Sequence, residues 1–399
     1  MVGSFEKTRP PSELPKDMQL IVASIPLFFI LIGIEIVAAR VLERRVYGFV
    51  DSFTDLGCGI VEQLLGVLVK ASLFGAYLAL YAKTRLLDLP SSSWLVFAIC
   101  FVAVDFLYYW FHRTSHERGA LWAAHSVHHQ SEEYNLSVAL RQGAFQSFFS
   151  WIFYLPLAVL GFAPATFLTC SALNTLYQFW IHTRLIGKLG PIEWIFNTPS
   201  HHRVHHGRNP RYIDRNHAGV FIIWDRLFGT FVPETDEPVY GVVKPLTSAN
   251  PLWANFAGWA DMASVAARST GFVNRLRPLV AAPGWRPEAL GGPVIPPEVS
   301  RPKDEPVRPP IGRALGSYVF AHFVLLLILS ATALSRFSTL GPSAFVAIAL
   351  AVTLSLVGLS ALLEQRPRAR LFEAARILGL VVLGSVYGPA LIARLFGHV

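Results

Sequence analysis

Eleven of the thirteen histidines in this 399-residue chain fall between His112 and His217, mostly at spacings that suit a helix. His112-Arg-Thr-Ser-His116 is an H-x3-H pair, while His125-Ser-Val-His128-His129 and His202-Arg-Val-His205-His206 are H-x2-H-H sets. On an α-helix, positions i, i+3 and i+4 share a face, so each set can aim its imidazoles at one point. His182, in Gln178-Phe-Trp-Ile-His182, stands alone between the second and third sets. The sum is nine candidate metal ligands: His112, His116, His125, His128, His129, His182, His202, His205 and His206. One ion takes four or five such ligands and two take about nine, and imidazole suits iron, zinc, copper or nickel. Neutral imidazoles leave a pair of ions strongly positive, unlike the carboxylate-bridged sites of ferritin-like bundles. That chemistry suits binding and reduction of O2.

The neighbours of these sets carry weaker signals. His201 precedes the third set and is read as orienting a ligand. His217 is either a tenth ligand or a polar loop histidine, and His322 and His398 receive no role. Glu117 either hydrogen-bonds a ligand imidazole or pairs on the surface with Arg113 or Arg118. Asp105 lies seven residues before His112, about two turns along the same face, where it can accept from a ligand N–H. The run Tyr108-Tyr109-Trp110-Phe111 reads as an interfacial aromatic belt that sets the site near headgroup level.

These residues must be held by membrane helices. The chain is 53% hydrophobic and 15% charged, against about 25% charged in soluble proteins. Residues 20–39, 56–81 and 94–111 are apolar runs of spanning length, with Glu35, Glu62 and Lys70 as interior charges that should face the bundle. Residues 148–180 are apolar but broken near Gly161 and Pro164, with histidines at both ends. Both ends must therefore lie on one membrane face, which implies a helical hairpin turning at 161–164, re-entrant if its short arms do not cross. Residues 182–277 read as amphipathic and soluble in character. Ten prolines in residues 278–310 mark a linker, and apolar runs at 314–333, 344–363 and 374–396 follow. The fold expected is an all-α integral membrane bundle with a histidine-rich di-metal cap and a C-terminal module of three membrane helices. Its divisions are an N-terminal segment and anchor helix (1–50), a catalytic domain (51–245), a proline-rich linker (246–310) and the C-terminal module (311–399).

Other classes are excluded by composition. A net charge of +8 without a basic stripe on a soluble domain argues against nucleic-acid binding. Cys58, Cys100 and Cys170 all lie in apolar runs and make neither a C-x-x-C pair nor a disulfide framework. The polar first eighteen residues before a spanning run read as an anchor rather than a cleavable leader. Lys and Arg between 182 and 245 favour a site facing the cytoplasm, and the Ala, Arg and Pro richness suggests a bacterial inner membrane.

The order H-x3-H, H-x2-H-H, H-x2-H-H around a membrane hairpin resembles the fatty acid hydroxylase superfamily, which includes sterol desaturases, C-4 sterol methyl oxidases and carotenoid hydroxylases. HSVHHQSEEYNLSVALRQ, YQFWIHTRLIGKLGPIEWIFNTPSHHRVHHGRN and GVFIIWDRLFGTF are similar to the corresponding stretches of its alkylglycerol monooxygenase branch, strongly over residues 50–245. The resemblance implies two iron ions on the nine histidines, O2, and an electron donor: tetrahydrobiopterin or another external reductant. It also implies that Glu117 matches an acidic residue of that branch. The implied reaction hydroxylates the ether-linked carbon of an alkylglycerol, giving a hemiacetal that falls apart to aldehyde and glycerol lipid. Alternatives are hydroxylation or desaturation of a sterol, acyl chain or ornithine lipid, a zinc site without oxidative chemistry, or a metal transporter. Transport would place the histidines within the spans, whereas these cap them.

Overall fold

Apolar runs can cross a bilayer only with their backbone groups satisfied internally, and the described residues form fourteen α-helices and no strand. The structure, a computed structural model, describes residues 16–300, 308 and 310–396. Residues 1–15 of the polar N-terminal stretch, residues 301–307 and 309 of the proline-rich run, and His398 lie outside them.

The helices are α1 (Lys16–Val41), α2 (Phe49–Thr84), α3 (Trp94–Glu117), α4 (Gly119–His129), α5 (Ser147–Leu160), α6 (Pro164–Trp180) and α7 (Pro199–His205). There follow α8 (Ile223–Leu227), α9 (Pro251–Arg268), α10 (Phe272–Val280), α11 (Arg313–Ser335), α12 (Phe337–Leu340), α13 (Pro342–Leu363) and α14 (Ala369–Phe396). Residues Ser24–Val41 of α1, and α3, α11 and α13, are each long and apolar enough to cross a membrane. A fifth span is α2 if its two arms, bent by 47°, count as one. The interior charges behave as expected: Glu35 and Glu62 are buried, and Lys70 reaches Glu62 at 2.6 Å.

The chain does fold into a hairpin between the histidine sets. Gly161 ends α5 with φ of 103°, a left-handed conformation that favours glycine, and Pro164 opens α6 at its first turn. A Cβ on Gly161 would lie 2.0 Å from the Leu87 carbonyl oxygen, and Leu86 N–H donates to Val159 O at 2.8 Å. The hairpin tip thus reaches the connection between the far ends of α2 and α3. Its arms run as deep as the apolar part of α3, which a shallow re-entrant loop would not.

The 246–310 segment departs from a plain linker. It opens with α9 and α10, which pack on α4. Asn250 caps α9 by accepting from Leu252 and Trp253 N–H, with Pro251 in the first turn. Helices α11 and α13 pack on α2 around Phe53, Val61, Leu64, Phe323 and Val352. Glu364, after α13, accepts from Ser248 Oγ and Ala249 N–H, so the C-terminal helices also steady the start of α9.

Candidate metal centre

All nine histidines come together, in two buried groups. His112 and His116 on α3, His125 and His129 on α4 and His205 on α7 bring five ring nitrogens within 4.8 Å of one another. His128 on α4, His182 just after α6, His202 on α7 and His206 at its C-terminus form a group of four on the same criterion. The groups share a border, where the His129 and His206 rings stack at 4.3 Å and those of His202 and His205 stack at 5.1 Å.

Their hydrogen bonds fix which nitrogen faces inward. A carbonyl oxygen can only accept, so each imidazole nitrogen beside one must carry a proton. Nδ1 of His112, His128, His182 and His205 donates to the carbonyls of His217 (2.7 Å), Arg141 (2.9 Å), Gln178 (2.7 Å) and Arg215 (2.9 Å). His125 Nδ1 donates to Gln146 Oε1 at 2.7 Å. In these neutral rings Nε2 is then a bare lone pair. Yet His128 Nε2 lies 3.2 Å from His182 Nε2, and His112 Nε2 lies 3.0 Å from His125 Nε2. Two lone pairs at that distance repel unless a cation lies between them. Nε2 of His116, His205 and His206 is likewise buried without a partner. A second nitrogen held by a carbonyl is how metal-binding histidines are oriented, so the donor set fits metal ions.

A proton is a poor candidate for that cation. Burial, followed by the neighbouring imidazoles, holds His128, His129, His202, His205 and His206 well below the usual histidine range. Burial pushes His125 and His182 down to about 4. These rings are neutral at pH 7, the form that binds metal.

Buried polar staples hold the short helices in place. Arg141 is fully buried, and its guanidinium donates to Val127 O (2.6 Å), Asp55 Oδ1 (3.0 Å) and Gln130 Oε1 (2.9 Å). It thereby ties α4 to α2, while its own carbonyl takes His128. The seven-residue α7 opens with Pro199 and is too short to persist alone. Arg203 forks onto Glu234 at 2.7 Å through both Nε and Nη2, and its Nη1 donates to Thr183 O and Ile186 O. Asn216 Nδ2 donates to His201 O.

The neighbouring residues fall out differently from their sequence reading. Asp105 accepts from no imidazole. Its Oδ1 takes Asn174 Nδ2 (2.6 Å) and Val220 N–H (2.7 Å), and its Oδ2 takes Phe221 N–H (3.0 Å) and Trp224 Nε1 (2.9 Å). Two turns below His112, it meets the backbone of the 217–224 loop before it could reach a ring. Glu117 pairs with Arg113 at 2.8 Å on the exposed side of α3, which is the ion-pair alternative. His217 is no surface residue: it is 1% exposed, both its ring nitrogens lack hydrogen-bond partners, and its ring lies 5.1 Å from that of His116. It falls outside the group of five. His201 turns from the nine and lies against Phe231. Only part of the aromatic run can face an interfacial belt, because consecutive helical residues point about 100° apart. Tyr109 and Phe111 are buried, and Tyr109 stacks on Phe228. Sequence reasoning missed Arg141, Gln146 and the carbonyls of 178, 215 and 217. Only Arg141 had a signal, as a lone cation between the apolar 138–140 and 148–160 stretches.

Residues 97–230 match the fatty acid hydroxylase family. The chain is 39% identical to an alkylglycerol monooxygenase from Xenopus tropicalis over 353 residues, covering 88% of this chain and 79% of that one. It is 37% identical to the human alkylglycerol monooxygenase over 361 residues, covering 90% and 81%. A shorter likeness, 31% over 135 residues (33% and 40%), is to the ornithine lipid hydroxylase OlsE of Rhizobium tropici. No solved structure matches. The extensive matches are to animal proteins and lend no support to a bacterial inner membrane. The histidine groups, the membrane helices and a likeness running through most of both chains lead to one assignment: this multi-pass membrane protein belongs to the alkylglycerol monooxygenase family of lipid-modifying oxidoreductases within the fatty acid hydroxylases.

Proposed function

We propose that this chain is a di-iron oxygenase that hydroxylates the ether-linked carbon of an alkylglycerol at the membrane surface. The observation that carries the metal assignment is the pair of facing Nε2 lone pairs, His128 to His182 and His112 to His125. His112, His116, His125, His129 and His205 would hold one iron, and His128, His182, His202 and His206 the other. Bound iron supplies activation of O2 and oxidation of the C–H bond. One oxygen atom enters the product and the other leaves as water, with two electrons from tetrahydrobiopterin or another external reductant. The hemiacetal then breaks to aldehyde and glycerol lipid.

The protein's own part is positioning. Carbonyls of 141, 178, 215 and 217 hold His128, His182, His205 and His112 so that the inward Nε2 of each is a lone pair. The substrate enters sideways from the bilayer and lies between α3 and the hairpin, above the packed cluster of Tyr77, Cys100, Val104, Leu157 and Phe162. The Lys and Arg of the 182–245 region support a site that faces the cytoplasm.

The test is aldehyde release from a defined alkylglycerol by iron-loaded protein in vesicles, with and without tetrahydrobiopterin, in air and under nitrogen. Aldehyde that requires both O2 and the pterin supports the reading. No aldehyde from iron-loaded protein overturns the ether-lipid assignment and moves the search to sterols, acyl chains and ornithine lipids.

A further inference from the structure

Residues 186–196 and α8 form a lobe whose outer side is apolar without being covered. Leu189, Ile192, Trp194, Ile195, Ile223 and Leu227 are 37–69% exposed. On a water-facing cap such a cluster is a liability. Its depth along α3 gives it another meaning.

Asp105 fixes that depth. It lies seven residues before His112, about 10 Å toward the bilayer along the helix, and it binds the backbone of Val220 and Phe221 and the indole of Trp224. The contacts continue downward and upward on the same helix: Phe221 meets Phe101 at 6.0 Å, Trp224 meets Phe106 at 5.1 Å, and Phe228 meets Trp110 at 4.9 Å. Residues 219–228 therefore run beside the apolar part of a membrane-spanning helix. Phe196 joins them through a bridge to Phe221, and Asn197 N–H donates to Val220 O at 2.7 Å.

Non-helical backbone at such a depth is tolerated only where the protein satisfies it. Here Asp105 and Asn197 do so: Asn197 Nδ2 donates to the carbonyls of Ala218 and Gly219. The lobe's charges are arranged to match. Glu193 turns inward, accepting from Leu189 N–H, Thr198 Oγ1 and Ser200 Oγ. Arg226 lies over the Trp194 and Phe231 rings, 5.0 and 3.8 Å from their centroids, and donates to Glu193 O. Lys188 is exposed beside Leu189. No outward carboxylate interrupts the apolar face, and cations stand at its edge, where they can reach lipid phosphates.

We propose that this lobe is inserted into one leaflet, with the six apolar side chains among the lipid acyl chains and Lys188 and Arg226 at headgroup level. The region that reads as soluble in sequence is then partly a membrane wedge, continuous with the lipid-facing surface of α3.

Depth is measured on the full chain in phosphatidylcholine vesicles, independently of activity. Trp194→Cys, Leu227→Cys and Ile192→Cys are each labelled with an environment-sensitive fluorophore, and Asp236→Cys, exposed on the cap, serves as the aqueous control. The three native cysteines are buried, and metal content confirms that each variant is folded. Nitroxide carried on the acyl chain is expected to quench positions 192, 194 and 227 several-fold more than position 236, with iodide giving the reverse order. Iodide quenching at those three positions as strong as at 236, without nitroxide quenching, overturns the proposal.

Discussion

Arg141→Met removes the one charge that neutralises Asp55, at a place where water cannot replace it. Both side chains are at most 2% exposed, and their contact is 3.0 Å. Breaking a buried pair by deleting one partner costs about 3–5 kcal/mol, because the remaining charge is stranded. The Asp55 carboxylate keeps only Ser137 Oγ at 3.0 Å and a long contact to Ser131 Oγ, so the loss should fall in that range. Gln130 Oε1 loses its Arg141 donor as well, and Val127 O is left with the long contact from Gln130 N–H at 3.4 Å. Asp55→Asn added to Arg141→Met removes the stranded charge and should recover about 2 kcal/mol, the sign of direct coupling between the two sites. The assay is unfolding in mixed detergent, followed by helical signal, with the metal-to-protein ratio measured in parallel. The Arg141 carbonyl holds His128, so the four-histidine group should empty first, leaving roughly one metal of two. A single variant within about 1 kcal/mol of wild type, or a double variant as unstable as the sum of the singles, would refute the reasoning.

The metal-free chain should lose stability as pH falls from 6.5 toward 4. Folded His125 and His182 titrate at about 4 while the unfolded groups take up protons near 6.5, so each site withdraws about 3 kcal/mol across that window and nothing above it; an unfolding midpoint constant between pH 7 and 5 would contradict this. Gly219→Ala would set a Cβ 2.8 Å from Asp105 Oδ1 and 2.9 Å from the Tyr108 ring. It should cost about 1–3 kcal/mol and loosen the His217 carbonyl from His112, lowering metal content, whereas Gly187→Ala, with open space around it, should leave metal content unchanged. Glu117→Gln breaks an exposed i,i+4 pair worth about 0.5 kcal/mol, so its unfolding midpoint and metal content should match wild type. Loss of a metal in that variant would put the carboxylate back beside an imidazole.

Eight of the nine histidines were legible because their spacing coincides with helical periodicity and the chain is helical at α3, α4 and α7, whereas His182 stands alone after α6. Their division into five and four was not. His128 and His129 are neighbours in sequence but point about 100° apart around α4, so they serve different groups, as do His205 and His206. That sorting depends on how three helices cross, which no spacing records. The hairpin followed from a continuity argument: histidines at both ends of one apolar segment must return to one face. The depth of its tip depended on a contact with Leu86 and Leu87, residues with no distinguishing type. Asp105 was read along its own helix, where the seven-residue offset points at His112. The stronger claim came from a loop 115 residues later, whose Val220 and Phe221 N–H groups both donate to the carboxylate.

Three of the buried carboxylates share one role that only the structure reveals. In soluble di-metal bundles carboxylates bind the ions themselves; here Asp55, Asp105 and Asp225 bind backbone and Arg141. Asp225 accepts from His217 N–H and Ala218 N–H at 2.8 Å each and from Thr230 Oγ1, Asp105 holds residues 220–224, and Asp55 holds Arg141. These ties set the carbonyls of 141 and 217, and those carbonyls choose the tautomers of His128 and His112. Asp214 Oδ1 lies 3.4 Å from His116 Nδ1, whereas these three carboxylates act one step away from the rings, ordering the loops that hold them. Disturbing any of the three carboxylates should therefore appear as metal loss before any loss of membrane helices, because the helices are held by their own apolar packing and the loops are not.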